Sequence, residues 1–367
     1  MRHVAIQDVS GEEILAQPIY DIDGRRLLNR GIRLKQGYIQ KLYEKGIFSV
    51  YIEDSISEGI EIDEALCSKT RMKAKQAVCQ ELNRLSKNKE LNISYLRDIV
   101  NGIVEEVLSS HNDLINLKDV RLQDEFTFAH SVNVCALSTM LASRLGYNKE
   151  KIKNISLGAL LHDFGKVLIP ISILQNEGNL SPEETHELNR HPLYGYNLLK
   201  DDSSVNSTSK ISILMHHENL DGTGFPMGLS GDKIHYSARI ISICSLFDSI
   251  TCDRRYKNAL CTSDAVEYIS CSSGTGLDTK FVNEFLNMIP IFPNGTLVLL
   301  SNGLIGIVVS NNSKSLTRPV VRLLYNPKTK ARYGKNYIVD LMKDLSMKIL
   351  REIQIPANEL KENTVDL

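Results

Sequence analysis

The chain has 367 residues, 42% of them hydrophobic, and sets 43 Lys+Arg against 44 Asp+Glu for a net charge of −1. That length exceeds one ordinary core and implies two or three globular domains, while the balanced charge offers no overall field to gather a nucleic acid polymer or an anionic membrane surface. No window approaches the roughly 18 consecutive apolar residues of a membrane span, and the opening MRHVAIQDVSGEE lacks a signal-peptide core, so a cytoplasmic chain without a membrane span is expected.

Residues 1–63 read as a compact α+β accessory module. AQPIYDIDGRRLLNRG places an Asp23-Gly24 turn between apolar runs, a hairpin signal. LKQGYIQKLYEKG sets Ile39, Leu42 and Tyr43 on one helical face and stops at Gly46, a helix C-cap. Residues 64–118 hold connecting and leading helices. The first is highly charged with a narrow stripe of Ala74, Val78, Leu82 and Leu85, which reads as a connector and a homodimer contact. The second carries the broader stripe Leu96, Ile99, Val100, Ile103, Val104, Val107 and Leu108, wide enough to enter a core. Helical patterns then continue through FTFAHSVNVCALSTMLASRLG, IKNISLGALLHDFGK, SPEETHELNRHPLYGYNLLK, SKISILMHHE and HYSARIISICSLFDSITC, with a last pair between Ser263 and Met288. Ser181, Pro182 and Glu184 spell a capping box with proline at the first helical position. After Pro290, GTLVLLSNGLIGIVVSNN and RPVVRLLYN are β-rich, so residues 291–367 are expected to form a small β-rich module ending in a short helix and a polar tail. The fold class is mainly α: a helical domain over residues 119–290 flanked by a small N-terminal α+β module and a small C-terminal β-rich module. Seven cysteines, odd in number and without a CxxC pair, are expected to be reduced thiols.

The chemistry lies in the helical middle. Of the nine histidines, His130, His162, His191, His216 and His217 fall near helix ends beside apolar runs. Polar side chains gathered in one helical core need partners, and a metal satisfies several together. In ALLHDFGK an apolar helix delivers His162 and Asp163, whose two oxygens can bridge two ions; imidazole with carboxylate favours iron, manganese or zinc over calcium. Lys166, one turn on, reads either as a donor to a phosphate oxygen or as a solvated lysine. In ILMHHENLDGTGFP, consecutive helical residues stand about 100° apart, so His216 and His217 are expected to face different ions, or one an ion and the other a supporting partner. Asp221, Gly222 and Gly224 then turn the chain and present Phe225 to a flat base.

ALLHDFGKVLIP, together with FTFAHS, NRHPLYG, MHHENLDGTGFP and ARIISICSLFDSITCDRRYK, in that order between about Asp119 and Met288, resembles the HD-GYP family, the cyclic di-GMP phosphodiesterase branch of the HD metal-dependent phosphohydrolases. The resemblance implies an HD-type helical bundle that hydrolyses cyclic di-GMP to linear pGpG, and onward to GMP, in bacterial second-messenger signalling. It implies a metal centre on His130, His162, Asp163, His191, His216 and His217 holding two divalent ions, iron or manganese first, with zinc, nickel and magnesium as alternatives. It assigns catalysis to Asp163 and Lys166, and substrate contacts to Lys166, Phe225, Arg254 and Lys257, the arginine being suited to a bidentate grip on phosphate.

Four positions depart from the family pattern. Ser245 stands where an aspartate completes the metal site, and Asp248, three residues on, either substitutes for it or keeps a role of its own nearby. Phe126 replaces a glutamate of three-metal members, which argues for two ions. Phe225 replaces the tyrosine of the name motif, keeping the stacking face and losing the hydroxyl, and Asn176 stands where a lysine is usual. The resemblance therefore leaves an active phosphodiesterase beside a degenerate domain that binds cyclic di-GMP as a sensor or adaptor for a signalling partner, and beside a hydrolase of another nucleotide.

Overall fold

The computed structural model describes residues 1–355 apart from 22–23, 63, 65, 88, 111–113, 115–125, 177 and 253–258. The chain begins with β1 (Arg2–Ala5), β2 (Ile14–Leu15), β3 (Ile19–Tyr20), β4 (Arg26–Leu28), α1 (Gln36–Glu44) and β5 (Ser49–Glu53). An antiparallel sheet runs in the order β1-β5-β2, and β3 pairs with β4 as a hairpin. Asp23, expected in its turn, lies outside the described residues. Helix α1 ends ahead of Gly46, which takes φ +75° as a left-handed cap requires. The expected apolar face is narrower than three residues: Leu42 is buried and Ile39 packs on the same core, but Tyr43 is 55% exposed.

The helical part comprises α2 (Ser68–Leu85), α3 (Ile93–Ser109), α4 (Phe126–Arg144), α5 (Lys149–Leu161), a 3-10 turn at Phe164–Leu168, α6 (Ile171–Leu174), α7 (Pro182–Leu188), α8 (His191–Leu199), α9 (Ser207–Met215), α10 (Tyr236–Ile250), α11 (Thr262–Cys271) and α12 (Thr279–Leu286). Helix α4 occupies the centre because it is apolar on every side: Val132, Val134, Cys135, Ala136, Leu137 and Leu141 are all fully buried. It packs on α2, α3, α5 and α10, and α5 packs in turn on α9. The stripe of α2 joins the same core as that of α3, with Ala74 and Val78 buried and Leu82 and Leu85 against the cluster. The surface expected to meet a second copy is thus spent inside the chain.

The segment SPEETHELNRHPLYGYNLLK forms two helices rather than one. Its capping box is present, Ser181 Oγ accepting from the Glu184 N–H at 3.2 Å and Glu184 Oε2 accepting from the Ser181 N–H at 2.8 Å. The break comes from Pro192, which lacks an N–H and cannot bond the carbonyl of Leu188 four residues back. That carbonyl is left for another donor.

The C-terminal strands β6 (Leu297–Leu300), β7 (Ile305–Ser310), β8 (Val320–Tyr325), β9 (Ile338–Asp340) and β10 (Ile349–Glu352) form one antiparallel sheet in the order β10-β6-β7-β8-β9. Among the described residues no helix follows Pro290, and Ile349–Glu352 is strand β10, which satisfies the backbone of β6. The modules at the two ends of the sequence also pack together. Ile56 and Ile60 join Leu297, Ile307 and Leu324 in one cluster, and Arg322 Nη1 donates to the carbonyls of Ile56 and Glu58, both at 3.0 Å. None of the seven cysteines forms a disulfide, and burial pushes the thiols of Cys135 and Cys244 up to about 12. Among the described residues, no helix is long and apolar enough to cross a membrane.

Candidate metal centre

Three helices, α5, α7 and α9, run out toward one point, and the last carbonyls of each have no intrahelical partner. A histidine three residues on meets each of these ends. His162 Nδ1 donates to Ala159 O at 2.7 Å, His191 Nδ1 to the Leu188 carbonyl freed by Pro192 at 2.8 Å, and His216 Nδ1 to Ile213 O at 2.8 Å. A carbonyl only accepts, so each Nδ1 carries a proton and each ring turns its Nε2 the other way. His130, within α4, is held likewise by α10: its Nδ1 donates to Asp248 Oδ2 at 2.7 Å, and Asp248 Oδ1 accepts from Asn133 Nδ2 at 2.9 Å.

The four Nε2 atoms converge on the carboxylate of Asp163. Its Oδ2 lies 3.8 Å from His130 Nε2 and 3.5 Å from His162 Nε2, whereas Oδ1 lies 3.3 Å from His191 Nε2 and 3.9 Å from His216 Nε2. Two groups of ligand atoms result, each with all members within 4.8 Å of one another: His130, His162 and Asp163, and Asp163, His191, His216 and His217. His216 and His217 therefore share a group, which speaks against each facing a different ion and leaves the expected alternative, one on an ion and the other supporting it. The 100° spacing holds only inside a helix, and α9 has ended at Met215, so the chain is free to turn both rings to one side.

This donor set fits metal ions. His162 Nε2 faces His130 Nε2 at 3.2 Å, while Asp163 Oδ1, His191 Nε2 and His216 Nε2 are buried without a hydrogen-bond partner. Such a gathering of buried lone pairs is unfavourable without a cation among them. The negative ends of the three helix dipoles add to the attraction. Burial pushes His162 down to about 4 and, with the neighbouring imidazoles, holds His216 and His217 well below the usual histidine range, so they stay neutral and able to ligate. Burial alone would raise the Asp163 carboxyl, but His162, Lys166 and His191 outweigh it and hold the group ionised, well below the usual carboxylate range.

The other expected site residues take distinct places. Lys166 Nζ lies 2.6 Å from Asp163 Oδ2, at the solvent edge of the centre. Ser245 Oγ lies 3.3 Å from His130 Nε2. Asp248 sits behind His130 with both oxygens engaged, supporting a candidate ligand rather than standing in for the carboxylate missing at Ser245. Phe225 stacks on His217, centroids 4.5 Å apart at 24°, so one ring face is already covered. Arg254 and Lys257 lie outside the described residues, as does the Phe126 side chain. Gly224 is obligatory for the loop, since a Cβ there would lie 2.3 Å from Asn219 N and 2.4 Å from His217 O.

Two residues went unnoticed in the sequence. Asn133 holds Asp248 from one turn beyond His130 on α4. Glu218, 2% exposed, accepts from the N–H groups of Met227 and Leu229 at 2.7 and 2.8 Å and ties the glycine-rich loop to the histidine pair. A carboxylate directly after two histidines and ahead of such a loop is the available signal.

A model of the HD domain family matches residues 103–281, and one described as a KOW domain associated with HD domain matches residues 297–361. A cyclic di-GMP phosphodiesterase of Pseudomonas aeruginosa is 32% identical over 287 residues, covering 78% of this chain and 68% of that protein. The cyclic di-GMP phosphodiesterase response regulator RpfG of Xanthomonas campestris is 34% identical over 170 residues, covering 46% of this chain and 44% of its own length. A 3'3'-cGAMP-specific phosphodiesterase of Vibrio cholerae is 35% identical over 166 residues, covering 44% and 37%. The chain spans less than half the length of the latter two.

Proposed function

Because this chain belongs to the HD-GYP family, we propose that it is a metal-dependent phosphodiesterase that opens cyclic di-GMP to linear pGpG, with GMP as the product of a second cleavage. The observation that carries this reading is the buried carboxylate of Asp163, whose two oxygens face separate sets of imidazole lone pairs. Two divalent ions suit those sets, and the imidazole-rich ligands favour iron, manganese or zinc over magnesium. When bound, such ions supply Lewis acidity at the phosphodiester and lower the pKa of water.

The residues of the chain do the rest. The carbonyls of Ala159, Leu188 and Ile213 and the carboxylate of Asp248 hold protons on Nδ1 and keep each Nε2 aimed inward. Lys166, at the solvent edge, reaches a phosphate oxygen. Phe225, braced by His217, offers its other face to a guanine, while Glu218 holds the loop that carries it. Arg254 and Lys257 supply a cationic pair for phosphate and guanine. The test is turnover of cyclic di-GMP, followed by chromatography, in protein purified anaerobically and loaded with Mn2+ or Fe2+. Asp163→Asn should abolish both turnover and metal retention; an unchanged rate in that variant would overturn the reading.

Ser245 favours a second reading, because a neutral hydroxyl is a poor replacement for a carboxylate beside divalent ions. On that reading the domain binds cyclic di-GMP as a sensor or adaptor. Binding without turnover in the parent, with turnover gained by Ser245→Asp, would select it.

A further inference from the structure

The two donor sets around Asp163 differ in what already faces them. On the Oδ1 side, Asp163 Oδ1, His191 Nε2 and His216 Nε2 are buried without a hydrogen-bond partner, and His217 completes the group. On the Oδ2 side positive charge is already in place. Lys166 Nζ lies 2.6 Å from Oδ2, and the Ser245 hydroxyl lies 3.3 Å from His130 Nε2. The first set therefore offers three imidazoles and an open carboxylate oxygen. The second offers two imidazoles, a carboxylate oxygen already holding an ammonium, and a neutral hydroxyl.

An ion entering the Oδ1 side meets no ammonium, only the 3.3 Å approach of His191 Nε2 to Oδ1, and engages three buried polar atoms without a hydrogen-bond partner. An ion entering the Oδ2 side must drive off a charge-assisted hydrogen bond at short distance and receives a weak oxygen donor in return. The geometry points to ordered, unequal loading: the first divalent ion takes the Oδ1 side, and the second enters the Oδ2 side only by displacing Lys166, which holds that place as an internal cation. Lys166 is on this account a positioning residue for the metals as well as a substrate contact, and the two roles alternate. Its side chain is 29% exposed, so the displaced ammonium swings toward the mouth where a phosphate arrives. Activity then tracks the free concentration of the second ion.

This inference rests on the two-ion reading above, and a metal titration separates the fates of the two. Mn2+ is added to the chelator-stripped full-length chain and followed by calorimetry and electron paramagnetic resonance. One tight equivalent with a six-line mononuclear spectrum is expected, then a second at least about tenfold weaker, a gap of ~1.4 kcal/mol, that converts the signal to a coupled pair. Lys166→Met should narrow the gap, and Lys166→Arg, which keeps the charge, should preserve it. His191→Ala should remove the tight equivalent and His130→Ala the weak one. Equal affinities in the parent, or a gap unchanged in Lys166→Met, would overturn the ordering and leave the two-ion reading standing. A tight equivalent lost in His130→Ala but kept in His191→Ala would overturn the assignment of sides. A chain that takes up no Mn2+ overturns the metal-dependent function itself.

Discussion

Replacing Gly165 by alanine adds one methyl group at the point where the 3-10 turn after Asp163 touches α8. The new Cβ would lie 2.0 Å from the carbonyl oxygen of His191 and 2.5 Å from the nitrogen of Gly195. Both are backbone atoms, so no rotamer change relieves the clash. Ordinary contact begins near 3.4 Å, so the two segments must part by about 1.4 Å at the closest point. Overpacking among side chains costs about 1–3 kcal/mol, and with backbone on both sides the upper end, ~3 kcal/mol, is expected. At about 2–4 °C per kcal/mol, Tm should fall by roughly 6–12 °C. The same movement draws His191 Nε2 away from Asp163 Oδ1, now 3.3 Å apart, so the rise in Tm that Mn2+ confers on the parent should shrink as well. Thermal unfolding followed by circular dichroism, in chelator and in excess Mn2+, reads both effects. Gly102→Ala is the matched control: it lies on the exposed face of α3 with nothing within 4 Å of its Cβ, and it should stabilise by about 0.5–1 kcal/mol. A Gly165→Ala protein that melts with the parent and keeps its full response to Mn2+ would refute the claim that this contact places His191.

Three further outcomes are expected. Glu218→Gln removes the charge that fastens the Met227 and Leu229 N–H groups, so KM for cyclic di-GMP should rise about tenfold while metal content holds; equal loss of both would place Glu218 in the metal site instead. Asp248→Asn weakens the hold on the His130 Nδ1–H and should lower metal affinity by about 10–100-fold, chiefly for the weaker equivalent in a calorimetric titration. The metal-free chain should lose stability in acid: His162 sits at about 4 in the folded state against an ordinary 6.5, so the unfolded chain binds the extra proton between them. Stability from this group is complete above pH 6.5 and declines as pH falls toward 4, by up to roughly 3 kcal/mol, with His216 and His217 acting in the same direction. A urea midpoint flat from pH 7.5 to 4.5 would contradict it.

Periodicity made most of the helical part legible. The α3 stripe from Leu96 to Val107 recurs at helical spacing and is buried as expected. The same rule failed where helices end. It set His216 and His217 100° apart although α9 stops at Met215, and it ran through Asn189 and Arg190 although Pro192 cannot continue α7. Those two lapses are also what build the site, because a helix end leaves carbonyls for histidine Nδ1–H groups and an open direction for Nε2. Near the C-terminus, Ile349–Glu352 mixes apolar and charged residues without a clear period, and the unpaired edge of β6 decides for a strand. The partnership of Asn133 and Asp248 spans 115 residues and leaves no local mark.

Ser245 and Asp248 show the limit most sharply. They stand about one helical turn apart on α10, so spacing alone puts both on the face toward the centre and leaves either free to carry the ligand role. The choice is made by α4, which presents His130 with Asn133 one turn on and claims both oxygens of Asp248 for the far side of the imidazole. The carboxylate missing at Ser245 is therefore not recovered one turn later. It is converted into firmer support for His130, which keeps the ring aimed while leaving the Oδ2 side short of negative charge. Lys166 meets that side at Asp163 Oδ2. Among the described residues Asp163 is the one carboxylate in the candidate ligand groups, and an ammonium rests on one of its oxygens, which is the asymmetry on which the proposed unequal loading depends.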